Sequence, residues 1–269
     1  GSELLIISAM KSALRNNEFY MQYQPQYDYK KEQLIGMEAL IRWNSKELDR
    51  TVSPGEFIPI AEGSALIVLL GEYVIDMVIQ QIKHWNDVGL SFERVSVNIS
   101  PKQLLIPGFS ENLLEKLAKH GVSSRQLELE ITETSVLENP AEGIAILDQL
   151  SKAGFYITID DFGTGYSSLE YLKLMPVDKL KIDRAFVRDL EVESKDSAIL
   201  NIIVDLASAL GFQLLAEGVE TKDQLDIILN SGCDVIQGYY YSKPLDVVDI
   251  ERMLSRGVHM QNQVYENSA

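Results

Sequence analysis

A chain of 269 residues, 46% of them apolar, can bury one large core, and 40 acidic against 24 basic residues leave it at a net charge of −16. That acidity argues against non-specific binding to nucleic acid or to an anionic membrane surface, and no run approaches the ~20 apolar residues a membrane helix needs. The single cysteine, Cys233, excludes an internal disulfide and fits a reducing, cytoplasmic setting.

Gly1-Ser2 reads as the scar of a cleaved tag, residues 3–256 as one domain, and 257–269 as a polar, frayed tail. The domain opens with an amphipathic helix over 3–16, where Leu4, Leu5, Ile7, Ala9, Met10 and Leu14 are apolar. Eight strand-like segments follow, at 19–28, 33–43, 94–100, 126–132, 156–161, 179–183, 213–218 and 235–240. Helical patterns lie between nearly all of them, notably at 66–88, 139–153, 195–210 and 221–230. Strand–helix alternation with eight strands predicts a (β/α)8 TIM-like barrel of roughly the usual ~250 residues. Only four residues separate the first two strands, too few for a crossover helix, so that pair is expected to be antiparallel.

Strands buried on both faces should be apolar throughout. The exceptions here fall near the strand C-terminal ends: Glu38, Asn98, Glu130, Asp160-Asp161, Lys181, Asp183, Glu217 and Gln237. In this barrel class those ends converge on one mouth, where active sites are built. The expected pocket therefore holds Glu38, Asn98, Glu130, Asp160, Asp161 and Glu217, with Lys181 among them. So many carboxylates repel one another unless they bind protons or cations. All the donors are oxygens, and His84, His120 and His259 fall on helices or the tail. Such a set selects Mg²⁺ or Mn²⁺ over Zn²⁺, with Ca²⁺ able to occupy the same site. Two cations ~3.5–4 Å apart can activate a water for in-line displacement at phosphorus. Any one of these acids, alone, could be a solvated edge charge, and Lys181 could be only an ion-pair partner; it is their shared position at matching strand ends that points to chemistry. Asp161-Phe162-Gly163 matches a kinase metal motif, but the glycine-rich loop and HRD segment are missing, and no GxSxG elbow occurs.

The ordered blocks YQPQYD, EALIRW, SPGEFIPIAE, SVNIS, LELEITET, TIDDFGTGYSSLEYL, VDKLKID, AEGVET and QGYYYSKP resemble those of EAL domains, bacterial cyclic-di-GMP phosphodiesterases, over residues 14–254. The resemblance implies a first cation on Glu38, Asn98, Glu130 and Asp160 and a second on Asp160, Asp161 and Glu217. Lys181 would hold the attacking water, and Glu133 would anchor the DDFGTGYSS loop. Gln24, Leu40, Arg42, Asp183, Glu220 and Gln237 would line the dinucleotide site, where the planar Arg42 fork suits a phosphate. It also implies hydrolysis of cyclic-di-GMP to linear pGpG, Ca²⁺ as an inhibitory substitute, a homodimer face over 167–174, and a sensor or GGDEF domain upstream in a full-length protein that can be membrane-anchored. The departures, Gly63 and Ala65, are not at ligand positions. A catalytically silent cyclic-di-GMP receptor is the alternative. The enzyme is favoured because every expected ligand is present. A metal-dependent enolising barrel is a second rival, disfavoured by the paired aspartates and Arg42.

Overall fold

The computed structural model describes residues 1–164 and 169–256. Its strands are β1 (Phe19–Asp28), β2 (Gln33–Ser45), β3 (Arg50–Val52), β4 (Arg94–Asn98), β5 (Leu127–Thr132), β6 (Tyr156–Phe162), β7 (Lys179–Ile182), β8 (Gln213–Glu217) and β9 (Val235–Gln237). The sheet runs β1-β9-β8-β7-β6-β5-β4-β2, and β1 also pairs with β2, which closes it into an eight-stranded barrel. From β2 through β4 to β9 the barrel pairs are parallel, whereas β1 is antiparallel to both of its neighbours. The expected barrel and the expected antiparallel first pair are both present. The short β3, which extends β2 outside the barrel, was not foreseen. Nor does the last strand reach residue 240: it stops at Gln237, and the chain turns at Gly238, where a Cβ would lie 2.3 Å from the Val219 carbonyl oxygen.

The helices are α1 (Ser2–Asn16), α2 (Pro54–Glu62), α3 (Leu66–Asp87), α4 (Pro101–Leu104), α5 (Phe109–His120), α6 (Glu133–Leu137), α7 (Pro140–Lys152), α8 (Leu169–Leu172), α9 (Lys195–Leu210), α10 (Lys222–Ser231) and α11 (Val247–Arg256). Their starts follow capping chemistry. Ser100 and Gln103, and Thr221 and Gln224, each exchange side-chain and backbone bonds in a capping box. The outer face of the barrel is the apolar core. Val95 and Val97, Leu127 and Leu129, Ile157 and Ile159, and Leu180 and Ile182 are all buried toward the helices. The long helix α3 contributes Leu70, Val78, Ile79, Ile82 and Trp85, and Trp85 meets Tyr23 of β1 edge-on with centroids 5.1 Å apart.

Neighbouring residues of the same strands point the other way, into the lumen, and there the polarity reverses. Gln24, Gln26, Glu38, Ser96, Glu128, Glu130, Thr158, Lys179, Lys181 and Gln237 are all buried polar groups. The expectation of strands apolar on both faces, broken only at their ends, is thus corrected. The lumen is polar over two tiers.

Candidate active site

The lower tier is electrically balanced. Glu128, buried on β5, meets the Lys179 ammonium at 2.7 Å and Arg94 Nε at 3.5 Å, and accepts the Thr158 hydroxyl proton. The Arg94 guanidinium lies 3.7 Å from the centroid of the Tyr156 ring. Burial would raise the Glu128 pKa, but Lys179, Thr158 and Arg94 together hold it below the ordinary value. Neither Glu128 nor Lys179 was singled out in the sequence. The signal lay in the period-two repeats LELEIT and KLKID, where a second charged residue precedes each noted one by two positions.

The upper tier is not balanced. Lys181 has no exposed surface, and its Nζ lies 2.7 Å from Glu38 Oε1, 3.1 Å from Glu130 Oε2 and 3.2 Å from Glu217 Oε2. Asp160 and Asp161 complete the ring beside Glu217: one carboxylate oxygen from each of the three lies within 4.8 Å of the others. Five carboxylates therefore share one ammonium. Asn98 Nδ2 and Gln237 Nε2 also donate to Glu38, at 3.2 and 3.0 Å.

The surplus of negative charge shows in the proton affinities. Burial would raise Glu38, but Lys181, Gln237 and Asn98 outweigh it and hold this carboxyl low. Glu130 is pushed well up by burial and by Glu38 and Asp160, against the pull of Lys181. Burial lifts Glu217 to about 7, with Lys181 opposing and Asp160 and Glu38 adding. Asp161 rises to about 6 through burial, Asp160 and a bond to Asp183. Lys181 is driven well above an ordinary lysine, because Glu130, Glu38, Asp160 and Glu217 together exceed the burial penalty. Only added cations can ionise the whole ring near neutral pH.

Asp161 holds a left-handed backbone with φ of 55°, at the point where the β6–β7 register shifts. Its amide donates 2.8 Å to the Asp160 carboxylate. Left-handed geometry in a non-glycine residue is sparsely populated and clusters at functional sites. Two residues on, Gly163 also has positive φ, and a Cβ there would come 2.9 Å from the Phe186 ring. Its amide donates 3.3 Å to Glu133, which is buried in the first turn of α6. This brings Glu133 onto the start of the glycine-rich loop. The residues 165–168 of that loop lie outside the described residues.

Above the ring opens a cavity of about 750 Å³, lined by Leu40, Arg42, Asn98, Glu130, Asp160 and Asp161 and walled by α2, α3 and α4. Arg42 Nε donates to Gln22 at 2.9 Å and Nη1 to the Ile41 carbonyl at 3.0 Å, which fixes the guanidinium plane. The other expected substrate contacts divide. Gln24 and Gln237 are buried in the lumen, bonded to each other at 3.0 Å. Asp183 caps the turn Arg184–Phe186 through the Ala185 amide at 2.8 Å. Glu220 is exposed, with its amide held by Gln224 at 2.8 Å. None of these four lines the large cavity. His84 and His120 sit on α3 and α5, as expected, and His259 lies outside the described residues.

The sequence and the fold have counterparts among known proteins. The sequence pattern of the EAL domain matches residues 7–244. The chain belongs to the EAL domain family. It is 37% identical over 243 residues to MucR of Pseudomonas aeruginosa, named a bifunctional diguanylate cyclase/cyclic di-GMP phosphodiesterase, covering 90% of this chain and 35% of that one. It is 36% identical over 247 residues to the cyclic di-GMP phosphodiesterase PdeR of Escherichia coli, covering 92% and 37%. The chain thus spans about a third of the length of these relatives. Among solved structures, the MucR phosphodiesterase in complex with c-di-GMP superposes with a TM-score of 0.86 at 37% identity, covering 91% of this EAL domain and 99% of that chain. The EAL enzyme Bd1971 superposes at 0.87 with 33% identity, covering 94% and 70%. Among the described residues of this EAL domain, no helix is long and apolar enough to cross a membrane.

Proposed function

We propose that this EAL domain hydrolyses one phosphodiester bond of cyclic-di-GMP to linear pGpG with two divalent cations. The observation that carries the reading is the imbalance of the upper tier, five carboxylates around one buried ammonium at the foot of a dinucleotide-sized cavity. The oxygen donors fit Mg²⁺ or Mn²⁺. Glu38, Asn98, Glu130 and Asp160 would hold one ion, and Asp160, Asp161 and Glu217 the other. When bound, such ions acidify a water and neutralise charge developing on phosphoryl oxygens.

The chain's own residues supply the rest. Lys181 is an ammonium with N–H donors only; it orients the attacking oxygen and leaves the departing proton to a carboxylate. Glu217, whose Oε2 lies 3.2 Å from the Lys181 ammonium, is the carboxylate assigned to take that proton. Arg42, with its guanidinium plane fixed, offers a flat donor edge to a phosphate, and Leu40 an apolar surface to a base. Glu133 tethers the loop that follows Asp161. Incubation with cyclic-di-GMP and either metal, with products separated, should yield pGpG. Binding without turnover under both metals would instead favour a receptor. Exposed Leu169 and Leu174 support self-association through the expected dimer face, whose Ser167 and Ser168 lie outside the described residues. A monomer at assay concentration by sedimentation would exclude it.

The raised carboxyls give a pH signature. Asp161 at about 6 and Glu217 at about 7 keep protons that the unfolded chain, with carboxyl pKa values of about 4, has already released. Their contribution to stability is therefore present at low pH and is lost as pH rises through 6–7. The metal-free protein should melt lower at pH 8 than at pH 5.5, and the increment from saturating Mg²⁺ should grow across that interval. Thermal melts with and without Mg²⁺ measure this directly; an increment that shrinks with pH would contradict it.

A further inference from the structure

Three glutamines in the lumen form a run of hydrogen bonds whose direction is forced from one end. The Ser242 backbone carbonyl can only accept, so Gln24 must turn its Nε2 toward it, at 3.2 Å. That leaves Gln24 Oε1 to accept from Gln237 Nε2 at 3.0 Å, and the same Nε2 donates to Glu38 Oε1 at 3.0 Å. Gln237 Oε1 therefore faces the other way, where Gln26 Nε2 donates to it at 3.0 Å. All three side chains and Glu38 are under a tenth exposed, and Gln26 is 1% exposed, so water is a poor substitute for any of these partners.

We infer that Gln26 is a positioning residue for Glu38, acting through the amide of Gln237. Its N–H satisfies the buried Gln237 oxygen and so holds the Gln237 NH₂ on the Glu38 carboxylate. Lys181 occupies the same Glu38 oxygen, and Asn98 binds the other. With these donors fixed, the carboxylate has one orientation to offer a cation. Without the Gln26 donor, the Gln237 oxygen is buried unpaired, and relief by rotating that amide would set an oxygen against Glu38.

The inference rests on Glu38 being a cation ligand, and the test separates the two. Mn²⁺ alone is titrated by calorimetry into wild type, Glu38→Ala, Gln26→Met, Gln26→Leu, Gln237→Met and the Gln26→Met/Gln237→Met double variant, with thermal melts as the folding control. Gln26→Met should bind Mn²⁺ about 10-fold more weakly, within the usual range for groups behind a metal ligand. Gln26→Leu should also weaken binding. Gln26→Leu is a shorter apolar side chain with no donor, so its weaker binding carries the test should Gln26→Met not fold. In the Gln237→Met background, Gln26→Met should add less than about a 2-fold loss, since its effect passes through Gln237. Gln26→Met or Gln26→Leu binding Mn²⁺ as tightly as wild type, or a full additional loss in the double variant, would overturn the relay alone. Glu38→Ala binding Mn²⁺ like wild type would overturn the ligand reading and the relay with it.

Discussion

Glu38→Ala should lower turnover of cyclic-di-GMP by at least ~10³-fold, equivalent to about 4 kcal/mol of transition-state stabilisation. The Glu38 pKa is held low, whereas those of Glu130, Asp161 and Glu217 are raised, and Glu38 is bonded at once by Lys181, Gln237 and Asn98. It is therefore ionised before any cation arrives, and its two oxygens are already aimed. Alanine removes the charge and leaves Gln237 without one of its acceptors, while Lys181 keeps Glu130 and Glu217. The fold should survive, and cyclic-di-GMP binding should fall far less than turnover, because Leu40 and Arg42 in the cavity are untouched. Near-normal turnover at saturating metal would remove Glu38 from the ligand set.

Lys181→Met should be at least as damaging to turnover and, unlike Glu38→Ala, should also damage the metal-free fold. Lys181 is the only cation of the described upper tier, and methionine matches its length without its charge. Removing one partner of a fully buried ion pair costs about 3–5 kcal/mol, or roughly 10 °C in melting temperature for a chain of this size. The loss has a defined pH dependence. Without Lys181 the folded-state carboxyl pKa values rise further, so the folded protein binds still more protons than the unfolded chain. The deficit should be small near pH 5 and largest near pH 8. Saturating Mg²⁺ should restore much of the stability and none of the turnover, since the ions replace the lost positive charge but not the donor to the attacking oxygen. Melting curves across pH with and without metal, beside product analysis, test both halves. A variant that melts as wild type at pH 8 without metal would contradict the buried-charge account.

The two tiers explain why the charged residues of one lumen play different parts. Glu128 has Lys179 and shares Arg94 with Glu93, so its charge is matched and its pKa is held low. Glu130, one inward position higher, shares a single lysine with four other acids, and its proton is held tightly. The same residue type in the same strand becomes a structural counter-charge in one place and a candidate ligand in the other. Stoichiometry of charge decides it.

The sequence by itself determined the barrel, the antiparallel first pair and the convergence of Glu38, Glu130, Asp160, Asp161, Lys181 and Glu217, because strand periodicity and a parallel barrel's geometry send strand ends to one mouth. The EAL blocks added Glu133 and the expectation of cyclic-di-GMP as substrate, which no periodicity encodes. Only the tertiary structure decided which carboxylate is held ionised and which is protonated, since that depends on distances to Lys181 set by four different strands. It also revealed Glu128 with Lys179 as a balanced pair, and placed Gln24 and Gln237 in the lumen beside Gln26 rather than along the cavity. These are long-range pairings across a closed sheet. Gln26 and Gln237 are 211 residues apart, and their contact exists because β1 closes the barrel against β9.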